Sequence, residues 1–146
     1  MANKKESGFS LIELLLVVTI IGIIASVAIP ALQKGIKAAE NGSAFAVMRT
    51  VASTQLNFFS SNNRFARLAE LNSAMGNGLG NVSGDQVTRG RYTFEMVPAT
   101  PTDVELQNTY TITATRAVTG NEALYKYQLD QSGKITRIFP AGGDGQ

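Results

Sequence analysis

Residues 4–30 read KKESGFSLIELLLVVTIIGIIASVAIP, and this stretch decides how the rest of the chain must fold. From Leu14 to Leu32 no residue is charged, and only Thr19 and Ser26 are polar. About 20 apolar residues cross a bilayer core as a helix, so the segment has the length of a membrane anchor. Three of its residues are unexpected in an anchor. Glu13 sits just inside the apolar region, where a carboxylate costs about 2.5–3.5 kcal/mol at mid-bilayer and less near the edge. Gly22 weakens a helix by about 1 kcal/mol relative to Ala. Pro30 has no N–H, and its ring crowds the carbonyl of Ser26, so a kink or local opening is expected there.

Working outward, the remaining hundred or so residues are of ordinary mixed composition. One anchor and one soluble domain are therefore expected in the 146 residues. Lys4, Lys5 and Glu6 leave the first eight residues at +1, and the rest carries eleven Lys/Arg against ten Asp/Glu. Such a balance gives no electrostatic footprint for nucleic acid. The chain has neither Cys nor His. Disulfides and thiolate chemistry are thereby excluded, and so are the commonest metal ligand and the commonest general base. No nucleophile–base pair can be nominated, so neither an enzyme nor a cofactor or metal site is expected.

A cleaved secretory signal is the competing reading of the first thirty residues. Lys4 and Lys5 make a basic start, and Ser26-Val27-Ala28 is a small-x-small site that would release a chain beginning at Ile29. Glu13 counts against it, as does the helical pattern that continues beyond Pro30. In residues 33–59, Ile36, Ala39, Ala44, Val47, Met48, Val51 and Phe58 recur at three- and four-residue steps. Lys37, Glu40, Arg49, Gln55 and Asn57 fall largely between them, which describes an amphipathic helix with a narrow apolar stripe. No turn cluster separates the two segments. One long helix from about Phe9 to Phe59 is predicted, ended by Ser60-Ser61-Asn62-Asn63.

Phe65, Leu68 and Leu71 predict a short helical turn, and residues 76–84 a Gly/Asn-rich loop. The GNGLGN within that loop has dinucleotide-like glycine spacing, but neither a strand before it nor a helix after it, so it is not read as a nucleotide site. The second half alternates with period two: Tyr92, Phe94, Met96; then Tyr110, Ile112, Ala114; then Tyr125, Tyr127, Leu129. Pro98 and Pro101 break the first run, Asp130 to Gly133 is a turn, and Ile135 to Phe139 a last strand. Antiparallel strands with one apolar face need a cover. The amphipathic half of the long helix is the available one, which makes the expected fold class α+β. The Gly-rich tail, residues 141–146, is expected to be loose.

Gly8-Phe9-Ser10-Leu11-Ile12-Glu13, with basic residues before and the apolar run after, resembles the processing site of type IV pilins and their relatives. The likeness covers some 25 residues, GFSLIELLLVVTIIGIIASVAIPAL. It implies a prepilin leader over residues 1–8, a transmembrane and filament-core helix over 9–32, and a soluble headgroup over 33–146. A prepilin peptidase would cut after Gly8 and methylate the new amine of Phe9. Glu13 matches the family's N-terminal glutamate, which would set assembly register by meeting the Phe9 ammonium of a neighbouring subunit or of its own chain. Pro30 matches the family's mid-helix proline, and Gly22 and Pro30 would then be points where the helix can lengthen. The family's C-terminal disulfide is missing here. Implied partners are copies of the chain in a helical homopolymer, the peptidase, an assembly platform with its cytoplasmic ATPase, and the inner membrane before assembly. The implied location is a single pass through that membrane with the N-terminus inside, and then a surface pilus serving adhesion, motility or DNA uptake.

Two related roles compete. A pseudopilin of a type II secretion system shares the N-terminus, but Asp130 and Asp144 are too separated for the C-terminal calcium site that the resemblance implies for major pseudopilins. A DNA-capturing minor pilin would need a basic patch with aromatics, and only Arg89 and Arg91 beside Tyr92 offer one. The triplets Asn41-Gly42-Ser43 and Asn81-Val82-Ser83 fit an N-glycosylation pattern, and only Asn81 falls in an expected loop.

Overall fold

The computed structural model describes residues 8–117 and 123–140. Within these, α1 (Leu11–Asn62) is a single helix of 52 residues. It begins two residues later and ends three residues later than the sequence pattern suggests. Asn63 terminates it by taking a left-handed backbone, φ 52°, a conformation Asn tolerates better than most residues. The helix passes through Pro30 without a break in assignment; proline removes only one ladder hydrogen bond, and the turns on both sides persist. By contact, the chain divides into two compact units, Met1–Ala39 and Glu40–Gln146.

In the first unit the apolar side chains are exposed around the whole helix, from Leu11 at 82% to Leu32 at 66%. Among the described residues one helix is long and apolar enough to cross a membrane. Thr19 donates its hydroxyl to the Leu15 carbonyl at 2.8 Å, and Ser26 to the Ile23 carbonyl at 2.7 Å. Both polar side chains are therefore satisfied within the helix, as a segment in hydrocarbon requires.

The second unit continues with α2 (Leu68–Ala74), β1 (Asn81–Ser83), β2 (Gln86–Arg89), β3 (Tyr92–Met96), α3 (Asp103–Leu106), β4 (Thr111–Ala117), β5 (Ala123–Asp130) and β6 (Ile135–Phe139). The six strands form one antiparallel sheet in chain order. Val87, Tyr92, Phe94, Met96, Ile112, Ala114, Tyr127 and Leu129 form a single core cluster with Ala44, Val47, Met48 and Val51 of α1. This is the expected α+β arrangement, a helix covering the apolar face of an antiparallel sheet. Fully burying side chains of the Val and Met class stabilises by about 1.5–3 kcal/mol each. Phe45 meets Tyr127 edge to face at 5.0 Å.

Several details depart from the sequence reading. Two strands, β1 and β2, lie within and just after the segment read as a loop, and α3 follows Pro101. Ile36 and Ala39, assigned to the apolar stripe, are exposed. Gln55, assigned to the polar face, is fully buried. Its Nε2 donates to the Ala66 carbonyl at 2.9 Å, and its Oε1 accepts from the Ala66 amide at 2.7 Å. Gln55 thus replaces a ladder partner for the extended Phe65–Arg67 stretch, which is why a polar side chain is stable there. The Asp130–Gly133 turn is as expected, with the Gly133 amide on the Asp130 carbonyl at 3.0 Å. Residues 1–7, most of the expected leader, and the tail 141–146, including Asp144, lie outside the described residues.

Candidate functional site

Gly8, Phe9 and Ser10 precede the helix without regular structure. The Ser10 carbonyl accepts the first two helical amides, those of Glu13 at 3.0 Å and Leu14 at 3.1 Å. Glu13 therefore lies in the first turn, where a carboxylate interacts favourably with the helix dipole. It is exposed, and among the described residues its carboxylate has no hydrogen-bond or ion-pair partner. Phe9 is 76% exposed. The helix begins only at Leu11, so Phe9 and Glu13 do not lie one turn apart on it.

Gly22 and Pro30 stand farther along the same helix, both exposed. A methyl group on Gly22 would meet nothing within 4 Å, so no packing within this chain requires glycine there. Pro30 leaves the Ser26 carbonyl without an i+4 donor, a consequence of the missing N–H. The structure thus places Gly8, Phe9, Glu13, Gly22 and Pro30 along one exposed segment and, among the described residues, brings none of them together with a partner. Two features stand out: a lone carboxylate near the start of an apolar helix, and two weak points in that helix's backbone.

Arg89 and Arg91, the candidates for a nucleic-acid patch, are engaged locally. Arg89 Nη1 donates to the Gly78 carbonyl at 2.6 Å, and Arg91 Nε lies 3.5 Å from Glu40 Oε1. Asn81 is exposed in β1, whereas Asn41 Oδ1 accepts from the Tyr92 hydroxyl at 2.7 Å. Asp130 is committed to its own turn. Its Oδ1 accepts from the Ser132 hydroxyl and amide and from the Lys134 amide, and these bonds hold its carboxyl below its ordinary pKa. Among the described residues no group of three or more acidic, His or Cys side chains could hold a metal.

The second unit also holds a polar cluster that the sequence reading missed. Arg116 is buried to 1% exposure inside the sheet face and donates from Nη2 to Glu40 Oε2. Its Nε and Nη1 are buried and, among the described residues, have no hydrogen-bond partner. Tyr92, its cross-strand neighbour, is 2% exposed, and burial pushes its phenol pKa well up. The signal was present in the sequence: the alternation Ile112, Ala114, Arg116 puts the arginine on the inward face.

Residues 3–29 match the family model of the prokaryotic N-terminal methylation motif. The chain is 37% identical over 67 residues to the type IV major pilin protein PilA of Myxococcus xanthus (strain DK1622). That stretch covers 46% of this chain and 30% of the relative, so the chain spans under a third of the curated protein it matches. No solved structure gives a significant match. The motif and the relative make the N-terminal part of the chain similar to that of type IV pilins. In fold the chain joins that motif to a long apolar helix and a six-stranded antiparallel sheet.

Proposed function

We propose that this chain is the structural subunit of a type IV pilus, made as a membrane-anchored prepilin and polymerised through its N-terminal helix. One observation carries the reading: the methylation motif over residues 3–29 takes in the start of a helix whose apolar side chains there are exposed all round. Such a helix needs either lipid or copies of itself around it. In this reading residues 1–8 are the leader, 9–32 the membrane and filament-core segment, and 33–146 the headgroup. The role is structural, and no catalytic residue is assigned.

The chemistry follows from the buried N-terminus. A prepilin peptidase cuts after Gly8, where a larger side chain would crowd its cleft, and methylates the amine of Phe9. An ammonium among apolar side chains is unfavourable alone, and so is the carboxylate of Glu13. Pairing the Phe9 ammonium of one subunit with Glu13 of the next offsets both costs and sets the axial register. The intrachain pairing has less support, because Phe9 lies outside the helix. Gly22 and Pro30 let the helix lengthen to fit staggered neighbours. Lys4 and Lys5 keep the N-terminus cytoplasmic before assembly. Lipid is as apolar as the filament core, so leaving the membrane gains little by itself, and an ATP-driven assembly platform supplies the work.

Mass spectrometry of filaments sheared from cells should find a chain beginning at methylated Phe9. Glu13→Ala should leave the protein inserted and processed but absent from filaments. Filaments at normal yield from that variant would refute the register pairing. A chain confined to membrane fractions would move the assignment to a pseudopilin or minor subunit, and a chain beginning at Ile29 would mean ordinary signal cleavage.

A further inference from the structure

The first turn of α1 that meets the sheet, residues 40–43, docks in an unusual way. It carries no buried apolar side chain: Glu40 and Asn41 are half-buried, and Gly42 and Ser43 are exposed. The first buried apolar residue of α1 is Ala44, followed by Val47 and Met48. Beneath this turn lies a cleft of about 240 Å³, lined by Glu40, Ser43 and Val47 on the helix and by Arg91, Tyr92 and Phe94 on the sheet. Three polar contacts tie the turn to the sheet. Glu40 takes Arg116 and Arg91, and Asn41 takes the Tyr92 hydroxyl at 2.7 Å. Among the described residues Arg116 has no second acceptor for Nε or Nη1.

We propose that Glu40 and Asn41 form a polar clasp, a hinge that holds residues 40–43 on the sheet and, when open, moves the first docked position of α1 to Ala44. Two physical features lower the stability of the closed turn. Polar contacts over a cleft contribute little net stability, because desolvation offsets much of the attraction. Neutralising Glu40 weakens the closed state further, since Arg116 is then a buried cation facing an uncharged acceptor. Gly42 lowers the helical preference of the turn, and a methyl there would meet nothing within 4 Å, so no packing contact accounts for the glycine. Opening leaves Ala44, Val47, Met48 and Val51 in the core, so the sheet keeps its cover while four residues are freed. Segments that move are drawn from such low-stability stretches.

Hydrogen exchange on the full chain in detergent micelles tests this. In Glu40→Gln, amides of residues 40–46 should exchange roughly tenfold faster or more, approaching residues 33–39, with 47–55 and the strands unchanged. Tyr92→Phe, which removes only the Asn41 contact, should speed the same amides by roughly threefold. Gly42→Ala should slow them by about fivefold. Unchanged exchange at 40–46, or equal acceleration across the strands, would overturn the clasp. If Glu40→Gln does not fold, the other two variants decide: opposite shifts confined to 40–46 uphold the proposal, and any other pattern overturns it.

Discussion

Leu11–Ala39 and Glu40–Asn62 are parts of the same helix, yet their side chains serve opposite purposes. The first stretch exposes Leu, Ile and Val on every side, and not one of its residues is buried. The second buries Ala44, Val47, Met48, Val51 and Gln55 along one stripe and leaves Arg49, Thr50 and Ser53 outside. Apart from the bond lost at Pro30, backbone hydrogen bonding is the same in both. What differs is the surroundings each side-chain pattern requires: an apolar medium all round, or a sheet on one face and water on the other. Helix is therefore the cheaper part of the design, and the angular distribution of apolar residues carries the assignment.

The largest effect should come from removing the second stretch. A chain beginning at Gln33 should fold, because it keeps every buried residue of α1. A chain beginning at Ser60 should not, because Tyr92, Phe94, Ile112 and Tyr127 lose their cover. A cooperative melt from the shorter chain would break the comparison by showing that the sheet needs no helix. Single substitutions sharpen it further. Met48→Ala should cost about 2–5 kcal/mol in denaturant unfolding, as large-to-small changes in cores do. Leu16→Ala, at a position 58% exposed, should change unfolding by no more than about 0.5 kcal/mol. Equal costs would mean that the first stretch has a partner within the chain.

A smaller effect concerns acid. Arg64 Nη2 lies 2.6 Å from Glu70 Oε1, and this hydrogen bond, with the Arg67 amide, holds the Glu70 carboxyl below its ordinary value of 4.5. A depressed carboxyl contributes stability that is present above the unfolded-state pKa and is lost as pH falls through the lower folded value. Stability should therefore decline below about pH 4.5, and Glu70→Gln should flatten that decline in melts measured from pH 3 to 6. An unchanged slope would assign the acid sensitivity elsewhere. The pair is a third exposed on its carboxylate side, so solvent screening keeps the effect small.

The N-terminal half was legible because its signals are local. An uncharged run from Leu14 to Leu32 requires an apolar environment whatever else the chain does, and the Gly8–Glu13 motif is read residue by residue. Strands β3 to β6 were legible for the same reason, since their alternation fixes two faces. β1 and β2 were not. Of their seven residues only Val87 is buried, so period two has almost nothing to mark. Their entry depends on Gly80, whose φ of 151° and approach to the Thr88 carbonyl, 2.4 Å from where a Cβ would stand, exist only once the hairpin has closed.

Sequence alone marked the uncharged apolar run from Leu14 to Leu32 and showed that an antiparallel sheet needs a helical cover, because each follows from spacing along the chain. Tertiary structure alone decided which inward-facing polar side chains find a partner. Gln55 is stable in the core only because the Ala66 backbone reaches it from 11 positions away. Arg116 is held there only because Glu40, 76 positions earlier, comes to meet it. A buried polar group is acceptable when its partner arrives, and arrival is a property of the folded chain rather than of any local pattern.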